Sequence, residues 1–311
     1  ITTNNTGTIL ITTSRANSGS LIAKSAGADQ GKGITLRREV DGSNEWTLIG
    51  IPVTGEVSSD IDDNLRTSGS NSAIGHFDPT TGQGEYVYYT TNAERQLVNG
   101  RGYLVSPTAS GNIDITGAMP STTVLYELQD GTGTYGNWNL IGNPYPSYLN
   151  MTDDSGDATN NFLTVNTSVL DASYQSVYAW DGSAWDIYNQ TTDNINHVAP
   201  GEGFFVYSVA NGGDVSFTEN MQTSGQGVNF NDANIAPGGK PVSKNRVSRL
   251  ELELIDNAIN QSDVTKFYFS DEDQVSKGLD PGYDAGQFFQ GNNSRIFTRL
   301  VNDDEGTNFS I

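Results

Sequence analysis

His76 and His197 are the only imidazoles in the chain, and there is no cysteine. A Ser-His-Asp triad would need one of them beside a nucleophile elbow, and no Gly-x-Ser-x-Gly string occurs. Their spacing cannot supply two metal ligands from one helix face, and His197, just before a Gly-Glu-Gly turn, reads as a surface or turn residue. The string GTGTYG, with Gly131, Gly133 and Gly136, matches the dinucleotide fingerprint. It leads into Trp138 and a strand, however, whereas pyrophosphate binding needs a helix N-terminus there, so it reads as a turn. APGGKP lacks the spacing and the Ser/Thr of a phosphate loop.

Carboxylates are the titratable type in excess, with Asp+Glu 37 against Lys+Arg 16. A glycosidase pair leaves no local trace, so the acids by themselves assign no catalytic residue. Two clusters concentrate hard oxygen donors: Asp153, Asp154 and Asp157 with Asn160, and Asp303, Asp304 and Glu305. Calcium is the ion such loops would take, although neither follows the EF-hand pattern, and a solvated acidic loop is the default reading. The aromatic residues Trp180 and Trp185, on a predicted hairpin, and Tyr145, in Asn-Pro-Tyr-Pro, could stack on sugar faces. Core packing is the competing reading: Tyr178 shares a strand face with Trp180, and Asp186 with Tyr188, so one aromatic face is expected against a second sheet. No catalytic residue is expected, and no cofactor apart from calcium.

The elements that must hold these residues are strands. Short runs rich in Val, Ile, Tyr and Phe, such as GITLRREV, EYVYYTT, WNLIGN and GFFVYSV, alternate with Gly, Asn and Asp, which predicts an all-β chain of tandem β-sandwich-like modules. Asp181-Gly182 marks a tight hairpin turn, and Asp271 to Leu279 is the single short helix expected. The net charge of -21 argues against nucleic acid or an anionic membrane as partner. No apolar run reaches the roughly 20 residues of a membrane span.

A repeat organises the chain. EWTLIGIPVTG, Glu45 to Gly55, aligns with NWNLIGNPYPS, Asn137 to Ser147, matching Trp46, Leu48, Ile49, Gly50 and Pro52 to Trp138, Leu140, Ile141, Gly142 and Pro144. Val98 to Gly117 parallels Ala199 to Thr218, with Gly100 and Gly102 matching Gly201 and Gly203. The expected units are a first module over 1–125, its repeat over 126–226, a linker over 227–245 and a small third β unit over 246–311. In the last, Leu250, Leu252 and Leu254 alternate with Arg249, Glu251 and Glu253 as in a half-buried strand.

WNLIGNPYPSYLN, VYAWDGSAWDIYN and APGEGFFVYS resemble a module found near the C-termini of large proteins that Bacteroidota export through the type IX secretion system. The stretch from Ser262 to Ile311 resembles the segment that often precedes the sorting domain of such proteins. The resemblance covers the chain from about Trp46 onward. It implies an extracellular or outer-surface protein, not an enzyme, whose partners are the rest of a long polypeptide, the secretion components and a polysaccharide or other surface ligand. The corresponding role is a structural or adhesive module. The alternative is a carbohydrate-binding accessory region of a polysaccharide-degrading enzyme. Ile1 is expected to lie inside a longer, processed polypeptide, and a sorting domain past Ile311 is expected either to have been cleaved after export or to belong to a longer chain.

Overall fold

The computed structural model describes residues 2–3, 8–14, 18–22, 33–42, 46–120, 122–152, 159–182, 185–190, 197–224, 248–257, 261–269, 275–288, 295–302 and 304–311. The protein is all-β. Its first part carries β1 (Thr2–Thr3), β2 (Ile9–Thr13), β3 (Gly33–Val40), β4 (Thr47–Gly50), β5 (Thr67–Ser68), β6 (Asn71–Asp78), β7 (Glu85–Thr90), β8 (Gly102–Val105) and β9 (Gly111–Ala118). The second part carries β10 (Val124–Leu128), β11 (Trp138–Gly142), β12 (Tyr148–Asn150), α1 (Phe162–Val165), β13 (Val177–Trp180), β14 (Trp185–Tyr188), β15 (His197–Val198), β16 (Gly203–Tyr207), β17 (Gly213–Phe217) and β18 (Gln222–Thr223). A hairpin of β19 (Ser248–Asp256) and β20 (Gln261–Phe269) follows.

The two parts share one strand plan. In the first, β3 pairs with β9, while β4, β8, β6 and β7 lie side by side; in the second, β10 pairs with β17, while β11, β16, β13 and β14 lie side by side. The registers agree too. Ile49 faces Tyr103 and Gly50 faces Gly102 in one copy, and Ile141 faces Phe204 and Gly142 faces Gly203 in the other.

Successive side chains of a strand point to opposite sides, and here both sides are covered. Ile49, Tyr103 and Val105 enter the core of the first module with Ile34, Leu36, Ile113 and Ile115 of the β3–β9 pair. Ile141, Phe204 and Val206 enter the second core with Val215 and Phe217. The alternate residues Leu48, Leu104, Leu140 and Phe205 enter a third cluster on the outer side, shared by both modules and by Ala285, Phe288 and Ile311. That double burial explains why Leu-Ile-Gly reads as a continuous apolar run rather than an alternation.

Three expectations need correction. The second module opens with β10 at Val124, so the boundary at 125/126 cuts a strand. The described part of the predicted helix, Val275 to Leu279, is not helical; the stretch closes around Asp280, whose carboxylate accepts from the Ser276 N–H and hydroxyl. The Leu strand β19 is not half-buried: Leu250, Leu252 and Leu254 are all exposed. The 227–245 linker lies outside the described residues.

Candidate functional site: the joint and the outer aromatic face

The repeated Gly-x-Pro motif stands where the modules meet. The Gly50 N–H donates to the Gly201 carbonyl at 2.8 Å, and the Gly142 N–H donates to the Gly100 carbonyl at 3.0 Å. These bonds exchange places under the repeat, so the joint has an approximate twofold axis. Bridges between Ile49 and Glu202 and between Arg101 and Ile141 complete it. Only glycine fits: a Cβ on Gly50 would stand 2.5 Å from the Glu202 carbonyl oxygen, one on Gly142 2.5 Å from Gly50 Cα, and one on Gly203 2.7 Å from the Ile49 carbonyl oxygen.

Charge reinforces the joint asymmetrically. Arg38 on β3 meets Glu202 across it at 3.0 Å, with both side chains almost wholly buried. At the matching place Arg101 donates to the Tyr126 hydroxyl on β10 at 3.1 Å. Removing one member of a buried pair leaves a desolvated charge, so the Arg38–Glu202 contact fixes the modules' relative position more than it adds net stability.

Asn143 and Tyr145 brace the same turn. The Asn143 amide donates to the carbonyls of Ser147, Val198 and Ala199 at 2.9, 3.2 and 3.1 Å, and its oxygen accepts from the Tyr145 N–H. Tyr145 is 1% exposed, and its hydroxyl lies between the carbonyls of Thr122 and Phe217. Burial pushes that phenol's pKa up. The expectation of a sugar-stacking Tyr145 is therefore corrected: the turn between the two prolines folds the ring inward.

Trp180 and Trp185 stand directly opposite in the β13–β14 register, so they share the outer face with Tyr178 and Ile187, while Asp186 and Tyr188 turn the other way. Four residues separate the paired tryptophans, with Gly182 at φ 101 inside the turn. Trp185 stacks on Phe288 at 4.2 Å and meets Phe205 edge-on at 5.6 Å; Trp180 leans on Trp185 at 5.2 Å. Trp138 has Phe288 at 4.3 Å and Tyr178 edge-on at 4.7 Å. The Tyr178 hydroxyl donates to the Gly286 carbonyl at 2.7 Å, and the Asn189 amide donates to the Tyr283 carbonyl at 2.8 Å. The chain around Ala285–Phe288 is thus a cap on the second module. No local sequence pattern marks Phe288 as the residue that covers these strands.

The first calcium candidate, Asp153, Asp154 and Asp157, lies outside the described residues, as does Asp303. Asp304 accepts from the Gly306 N–H at 2.9 Å and pairs with Arg299 at 3.4 Å. Among the described residues no group of three His, Asp or Glu side chains is arranged to hold a metal. His76 lies on β6 beside Tyr89, its pKa lowered by burial and by the Arg101 charge, and His197 lies on β15. Gly131 to Gly136 closes a turn, with the Gly131 N–H donating to the Gly136 carbonyl at 2.8 Å.

Glu56 is a buried acid held by backbone donors. Glu56 accepts from the Val57 N–H at 3.1 Å and from the Thr116 N–H on β9. Burial, aided by the nearby Asp60 carboxylate, outweighs those two donors and pushes its pKa up to about 7.

The molecule described so far is two duplicated sandwiches, a glycine joint and a capped aromatic face, and its sequence matches a family signature over residues 1–307. The chain belongs to the DUF8693 family. That family is described as a domain of unknown function. No curated protein and no solved structure matches the chain. No helix among the described residues is long and apolar enough to cross a membrane.

Proposed function

We propose that this DUF8693 chain is a structural and adhesive module of a large secreted protein, displayed at a bacterial cell surface by type IX export. The observation that carries the structural part is the joint: paired glycine backbones and a buried Arg38–Glu202 contact make two sandwiches into one stiff body. A spacer needs that stiffness, because a swinging linker between modules would lose reach and orientation. Short Gly/Asn turns and an acidic surface of net charge -21 suit a soluble outer segment. The tryptophans that would form a sugar platform are occupied by Phe288 and by each other, which favours the spacer over the carbohydrate-binding alternative.

Labelling of intact cells with an antibody against this segment tests the location. Signal on intact cells, lost after mild protease shaving, is the expected result; signal only after permeabilisation overturns the proposal. Single-molecule pulling tests the mechanics. The two modules are expected to rupture in one event, and two separate low-force events would remove the stiff-spacer reading.

A further inference from the structure

The β19 half of the β19–β20 hairpin keeps an apolar row in contact with solvent, while across from Leu252 on β20 Thr265 is buried against Phe309 and Ser310. Leu250, Leu252 and Leu254 are 47%, 40% and 36% exposed, and Phe269 is 57% exposed. Their register places Leu250 across from Phe267 and Ser248 across from Phe269, so all five apolar side chains lie on one side of the ribbon. The two edges of the ribbon differ. On the outer edge of β20 the Lys266 N–H donates to the Ser310 carbonyl at 2.8 Å. On the outer edge of β19, nine residues long, no strand among the described residues is paired.

A long, regular strand with one apolar face and an open edge is a template for another strand, and folded proteins ordinarily blunt such edges with charges, prolines or bulges. β19 has no proline, and its nine pairs with β20 run without a break in register. We propose that β19 is an acceptor edge for strand addition by another polypeptide, an extended segment that alternates apolar and basic residues. Main-chain hydrogen bonds to Ser248–Asp256 would supply affinity, and alternate side chains would supply selectivity. The apolar residues of the guest extend the Leu250–Leu252–Leu254 row. Its basic residues lie on the opposite side, where β19 presents Glu251 and Glu253 beside Arg249, 3.4 Å from Glu251, and β20 places Lys266 across from Glu251, which leaves Glu253 as the acid for a guest cation. The net charge of -21 draws a basic guest and repels an acidic one. A second copy is the competing occupant. Antiparallel self-pairing centred on Leu252 sets Glu251 against Glu253 twice and joins two chains of that same charge. The inference goes beyond the spacer reading and stands independently of the route of export.

The test uses the whole chain and two fluorescent nine-residue peptides, one alternating Val with Lys and one alternating Val with Glu, followed by anisotropy at physiological salt. The Lys peptide is expected to bind, with slowed hydrogen exchange confined to Ser248–Asp256. Leu252→Asn, at an exposed position, is expected to keep the thermal midpoint and weaken binding roughly tenfold or more. The double variant Glu251→Lys with Glu253→Lys is expected to transfer preference to the Glu peptide. Lys-peptide binding that Leu252→Asn leaves unchanged would be attraction to the acidic surface at large and would overturn the proposal, as would absence of binding. Sedimentation showing a dimer of the chain alone, with β19 protected, would assign the edge to a second copy instead.

Discussion

On the first module Trp46 lies beside Tyr88 at 5.7 Å and Tyr88 is 38% exposed; on the second, the matching Trp138 is 3% exposed and lies under Phe288 at 4.3 Å. The strands beneath are copies, so the difference comes from what is laid over them. The second outer face has a cap from Ala285–Phe288, with Tyr174, Tyr178 and Tyr207 gathered around Trp138. The lesson is that an aromatic position in a repeat has no fixed role. One covering segment decides whether the same Trp is core or partly surface.

That comparison can be broken most directly at its cap. Phe288→Ala should cost about 3–5 kcal/mol in denaturant unfolding, the usual loss for a buried Phe, whereas Tyr88→Ala should cost less than about 1 kcal/mol. Equal losses would mean that both outer faces are covered alike. The joint provides the next contrast, because its two halves use different chemistry. Glu202→Gln leaves Arg38 buried beside a neutral amide and should cost about 3 kcal/mol, against about 0.5–1.5 kcal/mol for Tyr126→Phe, which removes the hydroxyl facing Arg101. If the two cost the same, Arg38 and Glu202 are not the dominant lock.

Gly50→Ala and Gly142→Ala probe what the halves share. Each added methyl meets backbone of the other module, so each should cost about 1–3 kcal/mol and lower both modules' unfolding together. A shift in one module alone would show that the axis does not couple them.

The smallest effect concerns pH. Because the folded state raises the Glu56 pKa to about 7, it binds more protons than the unfolded chain between about pH 4.5 and 7. Glu56 therefore lowers stability as pH rises through that window, and the loss is complete above it. Asp60→Asn removes the neighbouring charge and should recover a few tenths of a kcal/mol at pH 8, with almost no gain at pH 4.5. A thermal midpoint gain that is the same at both pH values would show that Asp60 acts by another route.

Much of the fold was legible because Leu-Ile-Gly-x-Pro occurs twice at matching places, and its residues occupy matching registers in β4 and β11. The joint was not legible. Arg38 and Glu202 belong to different strand pairs and their attraction leaves no local pattern. Tyr145 looked available because prolines flank it, but only the positions of Thr122 and Phe217 show that its hydroxyl has carbonyl partners indoors. Trp180 and Trp185 stand opposite each other and share the outer face, whereas Tyr188 stands opposite Val177 on the inner face, and neither strand's own pattern says which face the Phe288 segment covers. β19 carried a strand pattern in its leucines, yet alternation alone does not say whether anything covers the apolar side.

An interface that repeats itself about a twofold axis is self-complementary: the same patch serves both partners. Two separate copies of such a module would associate only as their concentration allowed. In this chain residues 119–123 join the end of β9 to the start of β10. A tether that short holds the second patch at an effective concentration on the order of millimolar, whatever the dilution of the protein. The duplication thus turns an equilibrium between molecules into a property of one molecule, and the joint stays closed however dilute the protein becomes.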